Sequence, residues 1–171
     1  MWFILGKSRI DVSRVTAPRL ILGALAQMHD LDSSLSLTVS QMGQIAWKDE
    51  RVIPRALANR IYQAIAKLRK MGLGQGIYKS RMGYRIAVSV QVKIYDQPSL
   101  QQLLDNHQFH LYIERLIHHS EWAIQLEHKA ALSKIISHLA RAEHHLTSAH
   151  LEQVVPIRAF FATLAQDTNL N

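Results

Sequence analysis

Seven side chains between Arg55 and Lys70 could do chemistry on a polyanion: Arg55, Asn59, Arg60, Gln63, Lys67, Arg69 and Lys70. Arginine and lysine donate to the O6 and N7 of guanine, and asparagine or glutamine pairs with the N6 and N7 of adenine. Asn59, Arg60, Gln63 and Lys67 are therefore candidate base readers. Arg55, Arg69 and Lys70 suit phosphate oxygens, contacts that set affinity and register but carry no sequence information. Three more cations follow at Lys79, Arg81 and Arg85, and no Asp or Glu occurs from Ile53 to Tyr95. A solvated protein face normally mixes both signs.

The elements that would position these groups follow from periodicity. Leu57, Ile61, Ile65 and Leu68 recur at helical spacing, so a helix is expected over about 54–71, with Pro54 in its first turn and the polar set off the buried stripe. Gly72, Gly74 and Gly76 frame a tight loop. No Gly-Lys-Ser/Thr follows them, so a nucleotide-binding phosphate loop is not expected. Ile77 to Lys79 and the run from Tyr84 read as a hairpin over about 77–88. Even positions from Tyr84 to Ile94 are all apolar, which predicts a strand with one buried face reaching Ile94. Its second half, past Ser89, is expected to pack on the C-terminal region or to pair with another subunit.

Upstream, Trp2–Leu5 and Arg9–Val12 around Gly6-Lys7-Ser8 predict a short β-hairpin. A helix should start with Thr16 near its cap and Pro18 in its first turn, running to about His29. Thr38 and Gln41 stand at the spacing of a capping box, in which hydroxyl and amide satisfy each other's backbone donors. The short helix after it carries Met42, Ile45 and Trp47, weakened by Gly43 at a cost of about 1 kcal/mol relative to alanine.

A basic amphipathic helix followed at once by a basic hairpin is the layout of a winged helix. Trp47 closing a short helix, Leu68-Arg69-Lys70 ending the next, and Gly83-Tyr84-Arg85 in the hairpin make residues 1–95 resemble the OmpR/PhoB-type winged-helix domain of bacterial transcription regulators. The resemblance implies a fold and a function. The helix at about 54–71 would be the recognition helix in the major groove, and the hairpin at about 77–88 the wing on adjacent backbone or minor groove. Lys67 matches a position where the family often carries a base-contacting arginine, and Trp47 would pack in the core. The chain departs from the family at Arg19, where a glutamate is usual, in lacking a second wing glycine near Arg81, and in having room for about two N-terminal strands rather than four.

Residues 1–95 hold 15 Lys and Arg against 5 Asp and Glu, a balance of +10; residues 96–171 hold 5 against 8, a balance of −3. Polyanion binding is thus expected of the N-terminal half alone. After a junction at Gln97-Pro98-Ser99 the pattern is helical, with expected helices over about 99–119 and 121–146 and a third from Pro156. The fold class expected is α+β: a winged helix-turn-helix with a short N-terminal β-hairpin (residues 1–96), then a mainly α-helical domain (97–171) that dimerises or binds a protein or small-molecule partner. Nine of the ten histidines lie after residue 106. His118, His119 and Glu121, or Glu143, His144, His145 and His150, could in principle ligate zinc or nickel. Adjacent histidines diverge by about 100° on a helix, so no metal site is expected.

No apolar run approaches the ~18 residues that cross a bilayer, and no secretory leader is apparent. The absence of cysteine excludes disulfides and thiolate metal sites and suits a reducing, cytoplasmic location. No nucleophile–base pair or paired carboxylates stand out, so neither an enzyme nor a cofactor is expected. The leading expectation is a sequence-specific DNA-binding transcription regulator acting as a homodimer on double-stranded DNA. The alternatives are a plasmid or phage replication or partition factor, and a protein-interaction adaptor whose winged helix no longer reads DNA.

Overall fold

The computed structural model describes residues 2–5, 8–90, 92 and 98–166. The chain forms two compact units, residues 1–92 and 93–171. The architecture is α+β, with seven α-helices and two small antiparallel sheets among the described residues.

In the first unit, β1 (Trp2–Leu5) pairs with β2 (Ser8–Asp11) in a tight hairpin, Leu5 opposite Ser8. The Asp11 carboxylate accepts a hydrogen bond from the Ser13 amide at 2.8 Å and turns the chain toward α1 (Thr16–Leu31). Thr16 is the first helical residue rather than the cap; Val15 holds the cap position without a side-chain bond. Ile21, Leu22, Leu25 and Met28 of α1 are fully buried, each such side chain contributing about 1.5–3 kcal/mol through burial.

Thr38 starts α2 (Val39–Ala46) with the anticipated capping box. Its hydroxyl accepts from the Gln41 amide (3.2 Å), and the Gln41 side chain accepts from the Thr38 amide (2.9 Å). Pro54 opens α3 (Pro54–Leu68), where its missing N–H goes unneeded. Ile61, Ala64, Ile65 and Leu68 are buried against α1 and α2, while Leu57 is only partly covered.

Three expectations for this unit are corrected. The helix ends at Leu68 rather than Met71: Arg69–Leu73 forms a wider π-type turn, with Gly72 at φ 115 reversing the chain. Trp47 is half-buried at the end of α2, not a core residue. The strand expected to reach Ile94 stops at Ile86. β3 (Ile77–Ser80) pairs with β4 (Gly83–Ile86), Ile77 opposite Ile86, so β4 has no ladder partner beyond that point. The Ala87 amide still bonds to Gly76, after which a turn closes from Val90 back to Ala87 and leaves Val88 61% exposed. The rest of the expected strand, Gln91, Lys93 and Ile94, lies outside the described residues, and Val92 is not in a strand.

The second unit has four helices where three were expected: α4 (Leu100–Asp105), α5 (Phe109–Gln125), α6 (Lys129–Arg141) and α7 (Ser148–Gln166). A Ser99–Gln102 capping box starts α4. The helix expected over 99–119 is broken at His107 (φ 55), and the one expected over 121–146 at Glu127 (φ 48). Both breaks are Schellman turns. Gln108 donates its amide to the Leu103 carbonyl and His107 to Leu104; twenty residues on, His128 donates to Ala123 and Glu127 to Ile124. Glycine is the usual residue at the left-handed position, and neither turn has one, which is why the sequence reads as continuous helix.

The start of α7 was expected at Pro156 but lies eight residues earlier. Thr147 and His150 form a reciprocal box there: the Thr147 hydroxyl accepts from the His150 amide, and the His150 Nδ1 from the Thr147 amide, both at 3.3 Å. Buried Val154 and Ile157 on either side of Pro156 carry the helix past the missing hydrogen bond. The core of this unit gathers Leu103, Tyr112, Ile113, Leu116, Leu132, Ile135 and Leu139.

Candidate nucleic-acid interface

The cation-rich face begins with α3. Its buried side is set by Ile61, Ala64, Ile65 and Leu68, so the 3.6-residue period turns Arg55, Asn59, Arg60, Gln63 and Lys67 outward. Arg69 and Lys70 continue onto the turn that follows, and Lys79 and Arg81 stand on the β3–β4 hairpin. All nine side chains assigned from sequence are exposed, so each can reach a ligand without unfolding anything.

They are not equally disengaged. Arg60 donates to the Glu50 carboxylate at 2.5 Å, and its guanidinium lies 5.7 Å from the centre of the Trp47 ring. The last acid before the acid-free stretch thus holds one of the four candidate base readers. Arg69 donates to the Ile77 carbonyl at 3.1 Å, which ties the end of α3 to the start of the hairpin and occupies part of its donor fork. Arg55 and Asn59 precede Arg60 on the helix, and Gln63 and Lys67 lie between it and Arg69.

The hairpin is attached to the helix and to the loop before α2. The Lys79 ammonium stands 5.6 Å from the Tyr62 ring and 6.0 Å from the Tyr84 ring, bringing hairpin and α3 flank together. Cation–π contacts of this exposed kind contribute about 0.5–1 kcal/mol. On the other side Leu37 and Tyr84 exchange two backbone hydrogen bonds of 2.8 Å. Ser80 and Gly83 close the tip. The Ser80 hydroxyl donates to the Gly83 carbonyl and accepts from the Met82 amide, both at 3.1 Å, and the Ser36 hydroxyl lies 3.1 Å from it. Gly83 has φ +131, and a Cβ there would stand 2.2 Å from the Leu37 carbonyl oxygen; only glycine fits. Arg81 and Met82 project at the tip, Met82 75% exposed. Arg85 behaves differently from Lys79 and Arg81: it is half-buried, stacked 5.2 Å from the Tyr78 ring, with its guanidinium 3.5 Å from the Ser33 carbonyl.

Two exposed residues on the same face were not picked out from sequence. Tyr62 (45% exposed) stands seven residues after Arg55 and Ala66 seven after Asn59, a spacing that returns each to its partner's side of the helix. That signal was present in the sequence, but a search for charged and amide groups passes over it. In the second unit, no three His, Asp or Glu side chains among the described residues are grouped to hold a metal ion, and no described helix is long and apolar enough to cross a membrane. Among the nine histidines there, His128 caps α6, His150 caps α7, and the Tyr112 hydroxyl lies 2.5 Å from Nδ1 of His138.

The first unit is therefore a small α+β unit of three helices and two hairpins that presents an acid-free, cation-rich helix beside a cation-bearing hairpin. No family model, curated protein or solved structure matches the chain.

Proposed function

We propose that the protein is a sequence-specific DNA-binding transcription regulator, its N-terminal unit a winged helix of the OmpR/PhoB type. One observation carries this reading. The stretch without acids folds so that its amide and cationic side chains share one exposed helix face, and the Lys79–Tyr62 contact brings the hairpin alongside it. A duplex laid on that face would take α3 in its major groove, with Arg81 and Lys79 on neighbouring backbone. Arg55, Lys70 and the remaining donors of Arg69 would clamp phosphates. The C-terminal helices would join two copies or receive a protein or small-molecule signal, since their charge is mildly acidic and unsuited to DNA.

The test is selection of bound duplexes from fragmented genomic DNA by the full chain at about 150 mM salt, where exposed charge alone is substantially screened. Spaced direct or inverted repeats should be enriched, with specific binding roughly 10³-fold or more tighter than non-specific. The genomic position of the repeats separates transcription control from replication or partition. Binding that depends on salt alone, with no enriched sequence, would overturn the reading and leave an adaptor role for the unit.

A further inference from the structure

The outward line of α3 is more specific than its overall charge. At about 100° per residue, buried Ile61, Ala64, Ile65 and Leu68 centre roughly 230° from Arg55, which puts the outermost line of the helix near 50°. Asn59, Gln63 and Ala66 fall within about 30° of that line, whereas Arg60 and Lys67 lie roughly 70–90° to one side. Arg60 is in addition held by Glu50 and stacked near Trp47. The groups that best read guanine are thus on the flank, at the radius of the phosphates. The groups that would point deepest into a groove are two carboxamides and a methyl.

We infer that the major-groove target of α3 is an A·T-rich core, read by Asn59 and Gln63 on adenines with Ala66 against a thymine methyl, and that Arg60 and Lys67 grip backbone. The inference rests on the DNA-binding reading above and sharpens it. A carboxamide presents one acceptor and one donor, matching adenine N6–H and N7; guanine offers two acceptors there and leaves the amide oxygen opposed. Alanine has no polar group to satisfy and accommodates the thymine methyl. From Asn59 to Ala66 the helix rises about 10 Å, the length of three to four base-pair steps. The readable core should therefore be three or four pairs long in each half-site.

The experiment is selection from fully randomised duplexes by the full chain, followed by titration of the selected site. An enriched core of three or four A·T pairs is expected. Asn59→Ala and Gln63→Ala should each weaken the selected site roughly 5- to 100-fold while leaving random-sequence affinity and the circular dichroism spectrum unchanged. Replacing core adenines by 7-deazaadenine, which lacks N7, should reproduce the loss for the unsubstituted protein and add little for the variants. An enriched G·C core, or indifference to 7-deazaadenine and to both substitutions, would overturn this inference while leaving the protein a site-specific DNA binder. No enriched sequence at all would overturn both it and the reading on which it rests.

Discussion

Gly83→Ala tests the attachment of the hairpin most directly. Two costs add. Gly83 sits at φ +131, where an L-residue is strained by about 1–3 kcal/mol. A Cβ would also lie 2.2 Å from the Leu37 carbonyl oxygen and 2.7 Å from its carbonyl carbon. Both atoms are backbone, so no side chain can swing aside. Relief requires β4 to move off Leu37, which lengthens the paired 2.8 Å hydrogen bonds between Leu37 and Tyr84; each contributes about 0.5–1.5 kcal/mol net. The sum is roughly 4 kcal/mol, a large part of the 5–15 kcal/mol typical of a domain. Because two units unfold in this chain, a single melting curve is ambiguous, and native-state hydrogen exchange is the better assay. The Leu37 and Tyr84 amides should lose about three decades of protection. Gly74→Ala is the control: the added Cβ meets only the Arg69 carbonyl oxygen, at 3.8 Å, and Gly74 has helical backbone angles. It should be neutral or stabilising by about 0.4–1 kcal/mol. If Gly83→Ala keeps both amides protected to within a factor of about five, the close approach is not what holds the hairpin.

Further outcomes follow from single contacts. Glu50→Gln releases Arg60 from a half-exposed ion pair worth less than about 1 kcal/mol, so folding should hardly change. Duplex affinity should rise about 2- to 5-fold with a salt slope steeper by up to one; equal or weaker binding contradicts the placement of Arg60 beside the phosphates. Glu127→Gly removes a left-handed non-glycine residue from the α5–α6 turn and should raise the stability of the second unit by about 0.5–1 kcal/mol; weaker hydrogen-exchange protection of the buried α5 and α6 amides counts against the strained elbow. Burial holds the His29 imidazole below its ordinary value of 6.5, only partly offset by backbone bonding to Val90 and the nearby Asp30. The sign is that of a base kept neutral by folding. Its contribution is fully present above about pH 6.5 and is lost as pH falls toward the lower folded value. His29→Gln should flatten the fall in stability of the first unit below that pH, measured by denaturation between pH 5 and 7.5; an unchanged profile would exclude His29 as its source.

Local chemistry was legible where the residues are the usual ones for the job, and not at the Thr147–His150 box or the glycine-free turns at His107 and Glu127. The Thr38–Gln41 box, the Pro54 start, the tight N-terminal hairpin and the outward face of α3 follow from spacing alone. So does the exposure of Arg55, Asn59, Arg60, Gln63 and Lys67, because the 3.6 period that buries Ile61, Ile65 and Leu68 turns these five out. The mild cost charged to Gly43 has a tertiary explanation: a Cβ there would press to 2.6 Å from the Leu57 side chain, so the glycine serves the packing of α2 on α3.

What the sequence could not decide depends on partners distant along the chain or on strain that packing tolerates. Arg60 finds Glu50 ten residues back and Lys79 finds Tyr62 seventeen back, and those contacts separate the engaged cations from the rest. β4 ends at Ile86 because its neighbour runs out, although the apolar alternation continues to Ile94. The elbows at His107 and Glu127 and the passage of α7 through Pro156 oppose local propensity. Buried residues on both sides of each, among them Leu103 and Ile113 or Val154 and Ile157, are held by the core. Composition and period determine which side chains face solvent; only tertiary packing determines where an element stops and which of its exposed groups is already engaged, because those outcomes depend on contacts the local pattern does not contain.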